Sequence, residues 1–381
     1  MLARFIFAPT MIAVLALTVS TFAEEKPDAV PLKKFAPDAA PNTAPAPIPE
    51  TKPADAAKPA TEVKPAATAP PEKKPDTAAE GEPQAARAIL VSKREIVAQL
   101  QIFLDQQLFS PGMIDGKQGK TLTRLFKRWQ RSRGLPETGV IDENVPLDSV
   151  YPVYTFHKVA KEDFKFIGDL PGKTSEQARK KYLPYSGYLA FVAERYHASP
   201  EFLQKLNAGM KFDKLKQGDE VRVPNVEPFK IEDMPETGNL PEREEYKSRR
   251  IVITRGETIL ELYDDDKLIA AIPIAPGSPA HPTPAGHWRI LGIASMPTFR
   301  WDAGVLNRGV RTNNFYMLPA GPRNPVGVAW IGLNKAGVGI HGTNNPYSIG
   351  TFASHGCMRS GNWDISRICW MVTAGVTVEI K

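Results

Sequence analysis

Residues 353–361, ASHGCMRSG, place a cysteine beside a histidine and an arginine, in a chain of 381 residues that contains only two cysteines. A thiol attacks well only as its thiolate, and a free cysteine with a pKa of about 8.5 is mostly protonated near neutral pH. A neighbouring histidine can take the proton, and backbone amides or a cation can favour the anion. Cys357, with His355 and Arg359 close in sequence, is therefore predicted to be a nucleophile.

Three other roles for Cys357 fit the sequence less well. A structural zinc site needs four ligands, and two cysteines without a CxxC pair do not supply them. A disulfide would have to use Cys369, which lies on the apolar face of the helix predicted in NWDISRICWMVTAG and is expected to fill the core. An inert buried thiol does not suit the flanking Gly356 and Arg359, which indicate an accessible loop.

Two histidines are candidates for the base that activates this thiol. His355 is two positions before Cys357, and at that spacing in a tight loop a ring rarely points at the sulfur. His341 ends the apolar stretch GVGI and precedes the loop GTNNP, so it can fold back onto the cysteine. His341 is the predicted general base, and the backbone amide of His355 is expected to help form an anion hole.

The longer pattern HGTNNPYSIGTFASHGCMR, with HPTPAG upstream in a β-rich setting, resembles the signature of the L,D-transpeptidase catalytic domain, the YkuD-type family. The resemblance covers the whole of residues 249–381. It implies that Cys357 is the nucleophile, His341 the general base, and the Gly342 carbonyl the group that orients the imidazole. The chain departs from the family pattern after the arginine, in SGNWD, which leaves the shape of the pocket there open.

The same resemblance implies roles for the residues around the thiol. His355 and Gly356 would shape the loop and, with the amide of Cys357, stabilise an oxyanion. Ser354 would brace that loop. Arg359 would bind a carboxylate of the substrate or steady the thiolate.

Two aromatic residues and two further histidines of residues 249–381 are not assigned to the chemical step. Tyr316 and Trp330 are candidates for lining a substrate groove, although aromatic residues in strands more often pack in a core. His281 and His287 flank PTPAG, which by the resemblance is a structural turn, so neither is assigned to catalysis.

The reaction that the resemblance implies starts from a peptidoglycan tetrapeptide stem. The thiol attacks the carbonyl of the third residue, a diamino acid, and D-alanine leaves. The thioester then passes to the side-chain amine of another stem, giving a 3-3 cross-link, or to an envelope protein. No metal or cofactor is required, and carbapenem-type β-lactams are expected to acylate the cysteine. Two alternatives stay open: hydrolysis of the same thioester by an L,D-carboxypeptidase or amidase, and a non-catalytic peptidoglycan-binding protein.

Strands are predicted to position these residues. RIVITR, TILELYDDDKLIAAIPIA, GVAWIGL and VTVEIK are rich in aliphatic and β-branched residues, with turn breakers between them. Asp264, Asp265 and Asp266 are interpreted as the solvated turn of a hairpin, since no ligand spacing or closing glutamate follows them. Residues 249–381 are therefore predicted to be a β-rich domain, mostly a β-sandwich with a short helix, in a multidomain α+β protein.

A small helical domain is predicted at residues 88–150. Its two amphipathic helices are indicated by apolar residues at helical spacing: Ile96, Leu100, Phe103 and Leu104, and then Leu122, Leu125, Phe126 and Trp129. Together with SPGMIDGKQG between the helices and GLPETGVID after them, this segment resembles the peptidoglycan-binding-like domain found in many cell-wall enzymes.

A second small domain is predicted at residues 183–227. Two helices, the second begun by Ser199 as cap and Pro200 in the first turn, precede the alternating strand EVRVP. This resembles a lysin motif, a βααβ module that binds N-acetylglucosamine-containing glycans, although its first strand is only weakly indicated. His157 and His197 have no partner pattern around them and are predicted to be surface or loop histidines.

The N-terminal part of the chain predicts export. Residues 1–23 have a basic start, an apolar run and small residues before a cleavage point, which is typical of a signal peptide; an uncleaved membrane anchor is the alternative. Residues 24–87 are rich in Pro, Ala, Lys and Glu and are predicted to be a disordered tether. The net charge of +6 is spread along the chain, which disfavours nucleic acid as a partner. An anionic surface of the periplasm or cell envelope is the more natural partner, and the alternative is that the charge only keeps the protein soluble.

Overall fold

The computed structural model describes residues 83–381, and the side chains of residues 94–305 and 309–381. The predicted signal peptide and nearly all of the predicted tether lie outside the described residues. The helices are α1 (Pro83–Gln106), α2 (Lys120–Ser132), α3 (Thr174–Gln177), α4 (Tyr188–Arg195), α5 (Pro200–Leu206), α6 (Ala303–Arg308) and α7 (Asn362–Ile368). None of the helices within residues 83–381 combines the length and the apolar character that crossing a membrane requires.

Three short strands come before residues 249–381, and the others lie within that range. The strands are β1 (Tyr154–Lys158), β2 (Glu220–Pro224), β3 (Gly238–Asn239), β4 (Arg250–Thr254), β5 (Ile259–Asp264), β6 (Lys267–Pro273), β7 (Gly286–Ser295), β8 (Phe299–Asp302), β9 (Phe315–Leu318), β10 (Ala329–Leu333), β11 (Gly339–His341), β12 (Met358–Arg359) and β13 (Thr377–Ile380).

The first module is built on α1 and α2, as the apolar spacing predicts. Every residue of the predicted α2 stripe is buried, and the ring of Trp129 meets that of Phe103 edge-on with centroids 5.0 Å apart. Ile96 is an exception to the α1 stripe, because its side chain is 42% exposed. Arg94 and Glu95 before it are exposed too, so the buried part of the stripe begins after Ile96.

The second module has the βααβ order, with α4 and α5 between β1 and β2. The side chain of Ser199 accepts from the amide of Phe202 and caps α5, as predicted. The first strand is β1, which pairs antiparallel with β2 along its length and lies ahead of the predicted boundary at residue 183. The segment between β1 and α4 separates the strand from the helices it accompanies. The lysin-motif assignment itself stays a prediction.

Both histidines of this module are buried, so the prediction of a surface position is wrong for both, although His197 does lie in a loop. His157 on β1 contacts the hydroxyls of Tyr188 and Tyr196 and a carboxylate oxygen of Asp163. His197, between α4 and α5, is fully buried and its Nδ1 contacts both carboxylate oxygens of Asp105 on α1. Buried polar groups are stable when they are hydrogen-bonded, and here the partners come from distant parts of the chain.

Residues 238–381 contain one curled nine-stranded sheet, in the order β12-β11-β10-β7-β13-β4-β5-β6, with β3 pairing to β7. Its two halves share β7, whose first residues pair with β13 and whose last residues pair with β10. The predicted α+β class with a β-rich catalytic domain is confirmed. The turn between β5 and β6 is the predicted hairpin of Asp264, Asp265 and Asp266.

The first module packs directly on this sheet. Arg128 of α2 pairs with Glu257 and with the buried carboxylate of Glu261 on β5, and Arg131 also pairs with Glu261. The amide of Ala271 on β6 donates to the carbonyl of Leu108 at 3.0 Å, so the connection after α1 covers part of the edge of the sheet. An exposed edge strand offers unpaired backbone groups to other chains, and this contact removes one such site.

Candidate active site

The candidate site is formed where β10, β11 and β12 lie side by side. β11 pairs in parallel with β12, with His341 opposite Arg359, and Cys357 directly precedes β12. Side chains two residues apart on a strand point to the same face of a sheet. Cys357 and Arg359 therefore share a face with His341, and so does Trp330, which is opposite His341 on β10.

The imidazole of His341 is held on both its edge and its face. Its Nδ1 lies 2.6 Å from the carbonyl oxygen of Gly342, and its ring stacks on that of Trp330 with centroids 5.2 Å apart. A carbonyl only accepts, so Nδ1 carries the proton and Nε2 presents its lone pair. Burial, assisted by the charge of Arg359, lowers the pKa of His341 to about 4. The ring is thus a neutral base at neutral pH.

The stack of Trp330 on His341 requires a glycine at position 339. A Cβ on Gly339 would overlap the six-membered ring of Trp330 at 2.6 Å, so the indole lies over this position of β11 only because it is glycine.

The thiol of Cys357 is half-buried and faces the same groove. Its Sγ donates to the carbonyl of Gly337 at 3.3 Å, and both cysteines of the chain are free. Burial raises the pKa of Cys357, while the Gly339 backbone and the Arg359 charge act against that rise. Cys369 is 2% exposed at the end of α7, in the core as predicted.

The loop before Cys357 is held by hydrogen bonds between its own residues. The hydroxyl of Ser354 donates to the carbonyl of Cys357 and accepts from the amide of Gly356 at 3.2 Å. Gly356 has a φ of +107°, a backbone conformation that favours glycine. The ring of His355 is exposed and lies against that of His281, with centroids 4.9 Å apart.

Arg359 supplies the positive charge of the site. Its backbone forms two hydrogen bonds with Ala275, which leaves the half-buried guanidinium directed into the groove that it shares with Cys357. Burial lowers its pKa, and the Cys357 sulfur opposes this. In the part of the chain that the structure describes, no carboxylate lies within ion-pair distance of it. It is therefore available to an anionic ligand.

A groove of about 330 Å³ opens over these side chains. One wall is the ribbon of β8 and β9 with α6, which contributes Phe299, Trp301 and Val305. Trp330 lines the groove, as predicted. Tyr316 does not line the groove. It lies on β9 as the cross-strand partner of Trp301 on β8, with ring centroids 6.1 Å apart, and of this pair Trp301 lines the groove.

Sequence reasoning missed several contributors to the site. Trp301 and Val305 belong to the ribbon wall, and the only signal for them is an aromatic residue ahead of the helix-capping Asp302. Asn362, in the stretch SGNWD, is fully buried and accepts from the amide of Thr343, and no feature of the sequence marks it. His287 is exposed on β7, away from the groove lining. No group of three or more His, Cys, Asp or Glu side chains within the described residues is arranged to hold a metal.

Comparison with protein families gives two matches. Residues 248–380 match the family YkuD, described as "L,D-transpeptidase catalytic domain". Residues 93–145 match the family PG_binding_1, described as "Putative peptidoglycan binding domain". Both matches fall where the sequence resemblances were found.

Individual relatives agree with these matches. A Bacillus licheniformis protein named "Putative L,D-transpeptidase YkuD" is 28% identical over 192 residues, which are 50% of this chain and 92% of that protein. Its Bacillus subtilis namesake is 38% identical over 88 residues, 23% of this chain and 54% of that protein. The solved structure titled "L,D-transpeptidase from Mycobacterium smegmatis" is 20% identical and covers 35% of this chain and 58% of its own, at a TM-score of 0.29 that adds nothing to the assignment.

The thiol, the neutral imidazole and the groove thus lie inside the segment that the family match covers. The chain carries, at residues 248–380, an L,D-transpeptidase catalytic domain of the YkuD family, and it carries a peptidoglycan-binding domain at residues 93–145.

Proposed function

We propose that this protein is a peptidoglycan L,D-transpeptidase that forms 3-3 cross-links through a thioester on Cys357. The strongest support is the state of His341: its Nδ1–H is engaged by the Gly342 carbonyl, and its neutral Nε2 is left for the groove that contains the thiol. A neutral imidazole beside a protonated thiol is the starting state for general-base activation.

The first chemical step is acyl transfer from the stem to sulfur. As Cys357 Sγ adds to the carbonyl carbon between the third residue and D-alanine, its proton passes to Nε2 of His341. The new S–C bond converts the carbonyl into a tetrahedral oxyanion. The backbone amide of Cys357 is the proposed donor to that oxygen, and His355 and Gly356 shape the loop that presents it, since the Gly356 amide donates to Ser354.

Collapse of this intermediate breaks the bond from carbon to the nitrogen of D-alanine. His341 returns its proton to the departing amine, which leaves D-alanine and a thioester on Cys357. The acceptor amine then adds to the thioester and gives its proton to His341, and the thiol leaves after regaining that proton. No oxidant or energy source is consumed, because one acyl bond replaces another.

Arg359 is the proposed substrate anchor. Its guanidinium lacks a carboxylate partner in the described residues and faces the groove beside Cys357. Arginine binds carboxylates through paired hydrogen bonds, and a peptide stem ending in D-alanine carries one. The apolar wall of Trp330, Trp301 and Phe299 offers contact surface for the rest of the stem.

The setting of the reaction is the cell envelope. We propose export through residues 1–23 and retention near the wall through the peptidoglycan-binding domain, with glycan strands as partners. Envelope proteins as alternative acyl acceptors, and acylation of Cys357 by carbapenem-type β-lactams, follow from the same thioester chemistry.

Incubation with purified disaccharide-tetrapeptides, followed by mass spectrometry of the products, tests this proposal. Cross-linked dimers with free D-alanine are expected from the wild type, and neither from Cys357→Ala. Tripeptide without dimers would identify a carboxypeptidase instead, and the absence of any product would contradict both enzymatic functions. Cys357→Ala is expected to keep its binding to isolated sacculi, because residues 89–227 lie apart from the thiol.

A further inference from the structure

A carboxyl group of the second module is hydrogen-bonded to the catalytic region. Glu194 lies on α4 and is 5% exposed. Its Oε1 accepts from the hydroxyl of Tyr185 in its own module at 2.7 Å, and from Nδ2 of Asn362 in the catalytic region at 2.8 Å. The contact joins residues that are far apart in the chain and both buried.

Asn362 is bonded at both ends of its amide. Nδ2 donates to Glu194 and also to the carbonyl of Pro322 at 3.1 Å. Oδ1 accepts from the backbone amides of Val328 at 3.2 Å and Thr343 at 3.3 Å. Acceptors surround the nitrogen and donors surround the oxygen, so only one orientation of the amide satisfies all four contacts.

One of those contacts is to the peptide unit that orients the base. The amide of Thr343 and the carbonyl of Gly342 belong to the same planar peptide bond. One side of this plane donates to Asn362, and the other side accepts from Nδ1 of His341. Rotation of the peptide plane would therefore disturb both contacts together.

The surroundings of Asn362 leave little room for adjustment. A Cβ added to Gly327 or to Gly342 would overlap its Oδ1, so the backbone on two sides is in close contact with the amide. In a region packed this tightly, a tilt of the Asn362 side chain is transmitted to the Gly342 peptide.

We propose that Glu194 is a positioning residue for His341, acting through the Asn362 side chain and the Gly342–Thr343 peptide plane. The second module thus contributes to the geometry of the catalytic base. The effect on turnover rests on the proposed function, whereas the effect on the imidazole does not.

The test compares Glu194→Ala and Glu194→Gln in the full chain. Glu194→Ala removes the acceptor of Asn362 and is expected to lower kcat about tenfold with little change in KM, because positioning is lost and substrate contacts are not. Glu194→Gln keeps an acceptor oxygen for both donors and is expected to retain nearly full kcat. If Glu194→Ala does not fold, Glu194→Met fills the volume without accepting a hydrogen bond.

Tyr188→Phe is the matched control. Tyr188 lies on the same helix and is equally buried, but its hydroxyl bonds only to His157 and Asp163 within the second module. Its loss perturbs the module without touching Asn362, so kcat is expected to stay unchanged. A fall in kcat of the same size in Tyr188→Phe, or in Glu194→Gln, would overturn the proposal, because module stability would then explain the effect.

A second readout does not depend on activity. In ¹⁵N spectra of the imidazoles, His341 is expected to be the Nδ1–H tautomer in the wild type and in Glu194→Gln. In Glu194→Ala or Glu194→Met a population of the Nε2–H tautomer is expected to appear. An unchanged tautomer there would overturn the positioning role even if turnover fell. A wild type without turnover would contradict the proposed function alone.

Discussion

The thiol and the imidazole of the candidate site are both held in their neutral forms. Burial raises the pKa of Cys357 and lowers that of His341 to about 4, so near neutral pH neither group is charged at rest. The guanidinium of Arg359 is the fixed charge beside them, and it lowers both pKa values. Proton transfer would thus accompany attack on the substrate rather than precede it.

Arg359→Gln is expected to raise the pKa of both groups. Removal of the cation makes the thiolate of Cys357 less favourable and the imidazolium of His341 less unfavourable. The pH dependence of iodoacetamide alkylation reports the thiol, and NMR titration reports the ring. Arg289→Gln, at an exposed position of β7, serves as the control. Shifts in opposite directions, or equal shifts in the control, would show that Arg359 is not the controlling charge.

At the scale of single residues, the reacting groups could be predicted from the sequence, whereas the residues that surround them could not. His341, Gly342 and Cys357 lie in one short motif, and the structure brings them to one face of the sheet. Tyr316 was predicted at the groove, but of the cross-strand pair Trp301–Tyr316 only Trp301 lines it, because β8 borders the groove and β9 does not. Which strand of a ribbon borders a groove depends on how the ribbon packs, and sequence alternation does not encode this.

The ribbon that walls the groove depends on one carboxylate. Asp302, at the end of β8, accepts from the amide and the hydroxyl of Thr312, and from the amide of Gly304 at the start of α6. These hydrogen bonds, that from the Thr312 backbone foremost, hold the pKa of Asp302 well below its ordinary value. The carboxylate thus joins β8, α6 and the segment leading to β9.

Asp302→Ala is expected to raise KM for the tetrapeptide by about tenfold while kcat changes less, because the substrate wall loosens and the reacting groups stay in place. Steady-state kinetics of the cross-linking reaction check this expectation. Asp266→Ala, in the exposed turn between β5 and β6, is the matched control and should behave as the wild type. A fall in kcat at unchanged KM would place Asp302 in the chemistry instead of the wall.

Local patterns predicted most elements but not the complete second module. The hairpin of β5 and β6, the stripe of α2 and the cap of α5 follow from residue spacing and turn chemistry. β1 was missed as the first strand because its partner β2 lies far along the chain, beyond a long intervening segment. Pairing between distant strands depends on tertiary packing, which periodicity does not encode.

Across the whole molecule, buried charges join the first two modules to the catalytic region. Asp105 of α1 contacts His197 of the second module and Arg367 of α7, and its side chain is fully buried. His197 and Arg367 hold the pKa of Asp105 well below its ordinary value against the effect of burial. Asp364 is buried as well, and its burial, together with the negative charge of Asp105, raises the pKa of Asp364 to about 8.

Asp364→Asn is expected to stabilise the protein at pH 8 and to have little effect at pH 4. The folded-state pKa lies above the value of about 4 for an unfolded aspartate, so between these values the folded protein holds a proton that the unfolded chain has released. Stability is therefore lost as the pH rises from 4 towards 8, and an asparagine does not ionise. The gain is expected to reach several kcal/mol, because each unit of pKa difference corresponds to about 1.4 kcal/mol.

Urea denaturation of both proteins across this range measures the difference. Asp266→Asn, at an exposed position, should show no such pH dependence. A gain of equal size at pH 4 and pH 8 would mean that packing, and not ionisation, distinguishes the variant.

The cluster at Asp105 is the part of the molecule that the sequence indicated least. His197 was predicted to be a surface or loop histidine because no partner pattern surrounds it in the sequence, yet its partners come from α1 and α7. A histidine becomes buried where distant groups satisfy it, and a single sequence does not show which groups those are. The sequence motif that contains His341 and Cys357 could be recognised along the chain. The tertiary contacts that support it could not.

The central claim is that Cys357 carries the stem as a thioester. Intact-protein mass spectrometry after brief mixing with disaccharide-tetrapeptide, followed by peptide mapping, measures this directly. The expected result is an adduct with the mass of the donor less D-alanine, attached to the peptide containing Cys357, labile to hydroxylamine and absent in Cys357→Ala. An adduct on another residue, or D-alanine release without Cys357, would contradict the account.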